Sequence, residues 1–288
     1  MNPYLMLCLS AALLAVDFVI NKLYQRKAGT SLQAGLIFNV VLGGFTALIF
    51  WALSGFQFAF SGFSCIMATT MSLLCVCYNL LGFRILKNGS VAIYTLFLMT
   101  GGMVLPYIWG VLFLNEQLSV PTLIGLILLI GSVVICNLSK DRSNAKQLIL
   151  CIAVFVLNGL VSIVSKMHQV ESFYPSVSAN QFVMLTGISK AVVSLAASLF
   201  IKEKVSLKQV CNKNTVLLIA GSALIGGVSY MLQLIGAKDL PATVLYPFIT
   251  GGSMVFSSLA GVLVFKEKLS VKLIISLIIS CLATLLFL

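Results

Sequence analysis

Charge is what this 288-residue chain has least of: 9% of its residues are Asp, Glu, Lys or Arg, against 60% that are hydrophobic. A soluble domain carries about 25% charged residues. The chain therefore cannot cover a water-facing surface of its own size. Acids are the scarcer sign, 7 Asp and Glu against 18 Lys and Arg. Clustered carboxylates of the kind a hydrolase or a metal site needs are missing. A single histidine, His168, cannot complete a zinc site, and the 8 cysteines include no C-x-x-C pair. Most of the cysteines lie in apolar stretches and read as small buried hydrophobes. No nucleophile stands beside a base, and no nucleotide-binding motif is present. These absences argue against an enzyme, against direct use of ATP and against a bound cofactor or metal.

Long apolar runs are what the chain has in abundance. Ten can be marked, at 3–24, 31–53, 59–83, 89–114, 119–138, 147–168, 176–201, 214–237, 241–265 and 270–288. Many approach or exceed the roughly 20 residues needed to cross about 30 Å of hydrocarbon. Open sheet edges cannot be satisfied in lipid, so all ten should be helices. The expected fold class is all-α, a polytopic membrane protein of ten transmembrane helices. The first run lacks a basic n-region and reads as a retained helix, not a signal peptide.

The net charge of +11 sits in short linkers, none large enough to read bases, so no nucleic-acid partner is expected. Basic residues occupy alternate linkers: Lys22, Arg26 and Lys27; Arg84 and Lys87; Lys140, Arg142 and Lys146; Lys202, Lys204, Lys208 and Lys213; Lys266, Lys268 and Lys272. The opposite linkers hold only Lys166 and Lys238. By the positive-inside rule the basic linkers face the cytoplasm and both termini lie outside. The expected location is the cell (inner or plasma) membrane, with membrane lipid as a partner.

The chain also repeats itself. At an offset of 151, Gly110–Val120 and Gly261–Val271 agree at 7 of 11 positions, ending in Glu-x-Leu-Ser-Val. Repeats of this kind set the architecture. Here they divide the chain into 1–139 and 147–288, five spans each. An odd number of spans makes the second unit enter the membrane upside down. That is the inverted 5+5 repeat of many secondary transporters, whose halves alternate access around a central site.

The stretch Ala92–Leu138 carries a glycine-broken helix, the turn Glu116-Gln117-Leu118-Ser119, then a helix with Gly125 and Gly131 ending in Asn137-Leu138. A second copy of the turn is Glu267-Lys268-Leu269-Ser270. In these features the sequence resembles the ten-helix EamA-type family of the drug/metabolite transporter superfamily. Its start, Met1–Tyr4 with Lys22 closing the first span, is similar to the small multidrug exporters of that superfamily. Those relatives rely on a glutamate in the first helix. With Lys22 aligned, Leu14 stands at that position, and the nearest acid is Asp17. The resemblance implies export of amino acids or other metabolites or drugs, and some relatives carry nucleotide sugars or sugar phosphates.

Two charges stand inside spans. Asp17 lies about 10 Å in from the basic edge of the first span, and Lys190 is at the middle of the seventh. Intramembrane charges are expensive and should face a partner, a substrate or a water path. Lys190 continues a polar stripe with Thr186 and Ser194 at helical spacing. The two charges could contact substrate, couple transport to protons, or neutralise one another. Tyr94, Tyr246 and Asn158 lead the candidates for cavity lining, with Tyr78, Tyr107, Trp109, Tyr230, Asn39, Asn79 and Gln233 behind them. Gly101, Gly102, Pro106, Pro247, Gly251 and Gly252 mark helix breaks, read either as gating elements or as tight packing. Glu116 and Glu267 sit in the repeated turns and are expected to cap or gate. The sequence thus favours a secondary transporter of a small-molecule substrate, exporting an amino acid or related solute. Protons or exchange would drive it. An exchanger or importer of an anionic metabolite such as a phosphorylated sugar, and a non-transporting scaffold, remain as alternatives. A monomer is expected, with a dimer left open.

Overall fold

The structure, a computed structural model, describes residues 2–29, 31–88, 91–137, 145–201, 205–206, 210–266 and 271–288. Among them are ten helices: α1 Pro3–Ala28, α2 Leu32–Leu53, α3 Gly62–Asn88, α4 Val91–Phe113, α5 Val120–Asn137, α6 Ala145–Val170, α7 Ala179–Leu199, α8 Lys213–Asp239, α9 Ala242–Phe265 and α10 Val271–Leu285. No strand occurs among the described residues. Eight helices are long and apolar enough to cross a membrane, while α5 and α10 are shorter apolar helices.

Local chemistry sets the helix ends. Pro3 opens α1 behind Asn2, whose side chain accepts from the Tyr4 amide, and Gly29 at φ 88 closes it. Only glycine takes that φ without strain. Ser31 caps α2, and Asn212 accepts from the Asn214 and Thr215 amides to cap α8. Several basic residues expected in linkers prove to be helical, among them Lys22, Arg26 and Lys27 in α1, Arg84 in α3, Lys166 in α6, and Lys213 and Lys238 in α8. α1 runs through Lys22, and α6 runs through Lys166 to Val170. Lys166 is only 3% exposed. Its ammonium finds carbonyl partners at the end of α8, although the sequence counted it among the charges of a linker.

Packing follows one rule of exchange. The main neighbours of α1 are α8 and α9, and those of α6 are α3 and α4. Likewise α2 with α8 mirrors α7 with α3, and α9 with α10 mirrors α4 with α5. Three pairs, α2 with α7, α4 with α9 and α5 with α10, map onto themselves. Residue contacts give directions. α1 and α8 are antiparallel, with Ser10 on Ser229 and Asp17 on Ser222. α3 and α6 are antiparallel too, with Ser64 on His168 at one end and Ile85 clustered with Cys151 and Val154 towards the other. α1 and α9 run parallel, Tyr4 meeting Phe248 and Ala11 meeting Gly252. α4 and α6 are parallel, Gly101 meeting Phe155 and Leu105 meeting Gly159.

Small residues allow these approaches. Gly43 of α2 lies on Gly187 and Ala191 of α7 with no room for a Cβ. Serine pairs bind two antiparallel contacts reciprocally. Ser10 Oγ donates to the Ser229 carbonyl, and Ser229 Oγ donates to the Ser10 carbonyl (2.9 and 2.8 Å). Ser132 and Ser276 do the same between α5 and α10 (2.7 and 3.0 Å). Such bonds suit lipid, where small side chains and interhelical hydrogen bonds replace the hydrophobic driving force. Large apolar side chains such as Leu112, Ile127, Leu217 and Leu263 remain exposed on the outside, as a lipid-facing surface requires.

Candidate functional site

Asp17 points from α1 towards α8. Its carboxylate accepts from Ser222 Oγ at 2.5 Å and from Asn21 Nδ2 at 3.0 Å. Gly226 makes the space, since a Cβ there would stand 3.1 Å from the carboxyl carbon. Lys190 of α7 is half-buried and lies within electrostatic reach of the Asp17 carboxylate and of Cys75 on α3. Among the described residues no ion pair within 4.0 Å joins Asp17 to Lys190. The two charges thus face each other across the bundle without closing on one another.

Tyrosines continue the polar path from Cys75. Tyr78 is within hydrogen-bonding reach of Cys75 and close to Tyr94, whose hydroxyl packs where Gly82 lacks a side chain. Tyr230 of α8 also lies near Cys75 and pairs with Ser165 Oγ at 3.0 Å. Tyr246 of α9 donates to the Ser162 carbonyl at 2.5 Å. The structure therefore brings Asp17, Lys190, Tyr94 and Tyr246 into one linked region, contributed by α1, α7, α4 and α9.

Other expected residues go elsewhere. Asn158 Nδ2 donates to the Leu98 carbonyl at 2.7 Å and packs on Gly102, so it ties α6 to α4. Thr186 bonds back to the Val183 carbonyl of its own helix. Ser194 is buried, and its hydroxyl has no hydrogen-bond partner among the described residues. Gly101 lies against the Phe155 backbone, Gly251 against Thr284 and Leu129, and Gly252 against Ala11. These glycines are packing surfaces in this state. Pro106 and Pro247 sit inside α4 and α9. A proline cannot bond the carbonyl four residues back. For Pro106 that carbonyl belongs to Gly102, and Ser162 Oγ donates to it at 3.2 Å.

Glu116 caps a helix far from it in sequence. Its Oε1 accepts from the Ala242 amide at 2.6 Å and its Oε2 from the Thr243 amide at 2.9 Å, at the start of α9. An anion there meets the unpaired amides and positive dipole end of a helix. Gly110 leaves room for the carboxylate. Glu267, the matching residue, lies outside the described residues.

Lys166 was passed over as a site in the sequence. Its Nζ donates to the Ala237 carbonyl at 2.5 Å and the Leu240 carbonyl at 2.7 Å, at the end of α8. Glu116 and Asp239 lie within its electrostatic reach. Beside it, His168 Nε2 meets Ser64 Oγ at 2.8 Å, and the Val177 amide donates to the same hydroxyl at 3.1 Å. His168 is stacked on Phe182. This serine–histidine contact is a buried brace among α3, α6 and the segment before α7. A signal for this end does exist. At an offset of 144, Asn21-Lys22-Leu23-Tyr24-Gln25 aligns with Ser165-Lys166-Met167-His168-Gln169.

Residues 145–288 match the model of a family described as EamA-like transporters. No curated protein matches the sequence. A solved crystal structure described only as that of a protein aligns with a TM-score of 0.74 at 15% identity, over 98% of this chain and 95% of that one. At that identity the likeness speaks for the fold alone.

Proposed function

The chain belongs to the EamA-like transporter family, within the drug/metabolite transporter superfamily, and from that premise we propose that it is a secondary transporter exporting an amino acid or related small organic solute. The observation that carries this reading is the facing of Asp17 and Lys190, two intramembrane charges from different halves of the chain, held in electrostatic reach without an ion pair. A zwitterionic or polar solute could bridge them, with the tyrosines forming an aromatic wall. Alternating access would come from the two five-helix halves, 1–139 and 147–288, inserted in opposite senses. The exchange rule in the helix packing and the antiparallel contact of α2 with α7, Gly43 on Ala191 and Ala47 on Gly187, support that insertion. Alternation of basic linkers supports a cytoplasmic location for the Lys22 end, and hence a location outside for the Lys166 end and both termini. Asp17 is the group that would carry a coupling proton.

Counterflow in proteoliposomes tests the reading. Free amino acids are expected to exchange and phosphate esters are not. Asp17→Asn should abolish acceleration by a pH gradient, and Lys190→Ala should lower flux. Unchanged flux and coupling in both variants would remove this site from the mechanism. Exchange of phosphate esters alone would favour the anionic-metabolite reading.

A further inference from the structure

Gly43 and Gly187 bring the backbones of α2 and α7 together, and a Cβ at Gly187 would stand 3.0 Å from the Ala47 amide nitrogen. Larger side chains beside this seam stand above it. The result is an open groove of about 350 Å³, lined by Ala47, Leu48 and Trp51 of α2, Met184 and Ile188 of α7, and Phe58 of the connection after α2. None of the six is charged, and only the Trp51 indole carries a polar atom. Met184 is buried and forms the floor, while Leu48, Trp51, Phe58 and Ile188 are exposed.

The groove opens towards lipid. Ile188 begins an exposed apolar row, Ile188, Val192, Leu195 and Leu199, at steps of three and four along α7. Lys190 is about 200° round the helix from Ile188, so the charge faces inward where the groove faces out. Leu48 and Leu53 extend the exposed apolar surface along α2. The groove is therefore continuous with the lipid-facing surface of the bundle. Trp51 lies about 3 Å and Ala47 about 9 Å from the end of α2, within the roughly 15 Å of hydrocarbon in one leaflet.

The bundle end above the groove is aromatic and uncharged. Residues 54–61, after α2, and 172–178, before α7, include no charged side chain. Phe56, Phe58 and Phe60 alternate along the first segment and are exposed, as are Phe173 and Tyr174 in the second. The segments are tied together, with Ser61 Oγ donating to the Pro175 carbonyl and the Phe63 ring stacked on Tyr174 at 5.6 Å. The Phe56 ring meets Trp51 edge-on at 5.1 Å. Tryptophan and tyrosine gather at the headgroup level of a bilayer, so Trp51 and Tyr174 set the mouth of the groove just beneath the headgroups.

We propose that this groove is a binding site for one acyl chain of a membrane phospholipid, held more firmly than the surrounding lipid and wedged against α2 and α7 behind Lys190. A chain lying in it meets a floor and walls, whereas a chain on the convex surface meets protein on one side only, and dispersion contacts add with their number. With no charge at the mouth, the site selects the chain and not the class of headgroup. It does not require the transport reading.

Trp51 reports on the site directly. The chain has 2 tryptophans, so Trp109→Phe leaves Trp51 alone. This protein is reconstituted in phosphatidylcholine brominated on its acyl chains and extracted into a mild detergent, and its fluorescence is compared with that of protein from unbrominated lipid. Trp51 should stay at about half the unbrominated intensity, because the groove keeps its chain when the surrounding lipid is stripped. A reporter on the convex face, Leu217→Trp with both native tryptophans changed to Phe, should recover fully; Leu217 is exposed on α8. Ala47→Leu, which fills the groove, and Phe58→Ala, which removes a wall, should each restore full Trp51 intensity in detergent. Phe58 is exposed in a connection, so its variant carries the comparison if Ala47→Leu does not fold. Full recovery of Trp51 with the groove intact would make the contact ordinary surrounding lipid and overturn the proposal. Quenching that survives both groove variants would do the same. Absence of quenching in the bilayer would also overturn it, and a Leu48→Cys cross-link between two molecules would then give the groove to a second copy. Recovery on adding free amino acid would give it to the solute instead, and the acyl-chain site would fall.

Discussion

At one end of the bundle Lys166 is buried and bonded to two helix-terminal carbonyls, with Glu116 capping the next helix. At the other end Lys22 and Arg26 lie over Phe265, and Arg26 is exposed. The two lysines occupy matched positions in a chain that repeats itself. Their sequence context agrees at two of five positions, and the elements packed around each lysine differ. A buried cation bonded to carbonyls is a commitment, because removing it strands polar groups away from water. An exposed arginine over an aromatic ring, as Arg26 is, can leave at little cost. The difference teaches that a short repeated motif can meet carbonyls in one place and an aromatic ring in another, according to the helices packed around it.

Breaking the buried side should give the largest effect. Lys166→Met leaves two buried carbonyls without their donor, at about 1–3 kcal/mol each. It is expected to lower the thermal unfolding midpoint in detergent clearly, while Arg26→Gln shifts it by no more than the roughly 0.5–1 kcal/mol of an exposed cation–π contact. Equal shifts would mean that the two ends are not different in the way described. The glycines at an offset of 151 sharpen the same comparison. Gly101 has no room for a methyl group against the Phe155 backbone, whereas at Gly252 the nearest atom is the Ala11 Cβ at 3.1 Å. Gly101→Ala should cost about 1–3 kcal/mol by overpacking and Gly252→Ala less than that, measured by the same unfolding transition. The smallest effect is expected from Glu116→Gln. It removes the charge at the start of α9 but keeps an oxygen acceptor, so a loss of about 1 kcal/mol or less should appear.

Some of this was legible in the chain. Ten apolar runs separated by short linkers could only become helices, and the edges agree with the structure to within a few residues at most ends. The exceptions are instructive. α1 and α3 run four and five residues beyond their apolar runs, through Arg26 and Arg84, because a helix does not have to end where hydropathy does. The Glu-x-Leu-Ser repeat could be read because its identities are clustered. The Lys-x-x-Gln match at an offset of 144 was missed, since it has two identities in five residues and one lysine looked like a linker charge. Asn158 was read as lining a cavity. Its amide donates to the Leu98 carbonyl, beside a glycine whose missing side chain admits it, a contact that no local pattern announced. The choice between gate and packing surface at Gly101 could not be made from sequence, because it depends on which backbone lies opposite.

The sequence by itself determined that the chain lies in a membrane and that it is helical throughout its apolar spans. Lipid leaves a backbone no alternative to internal hydrogen bonding, so composition and run length were sufficient. Only the tertiary structure decided that Asp17 and Lys190 face each other, and that Glu116 and Lys166 converge on one turn. Those contacts join residues 173, 126 and 74 positions apart. Such distances are set by how ten helices pack, and no local pattern along the chain records that.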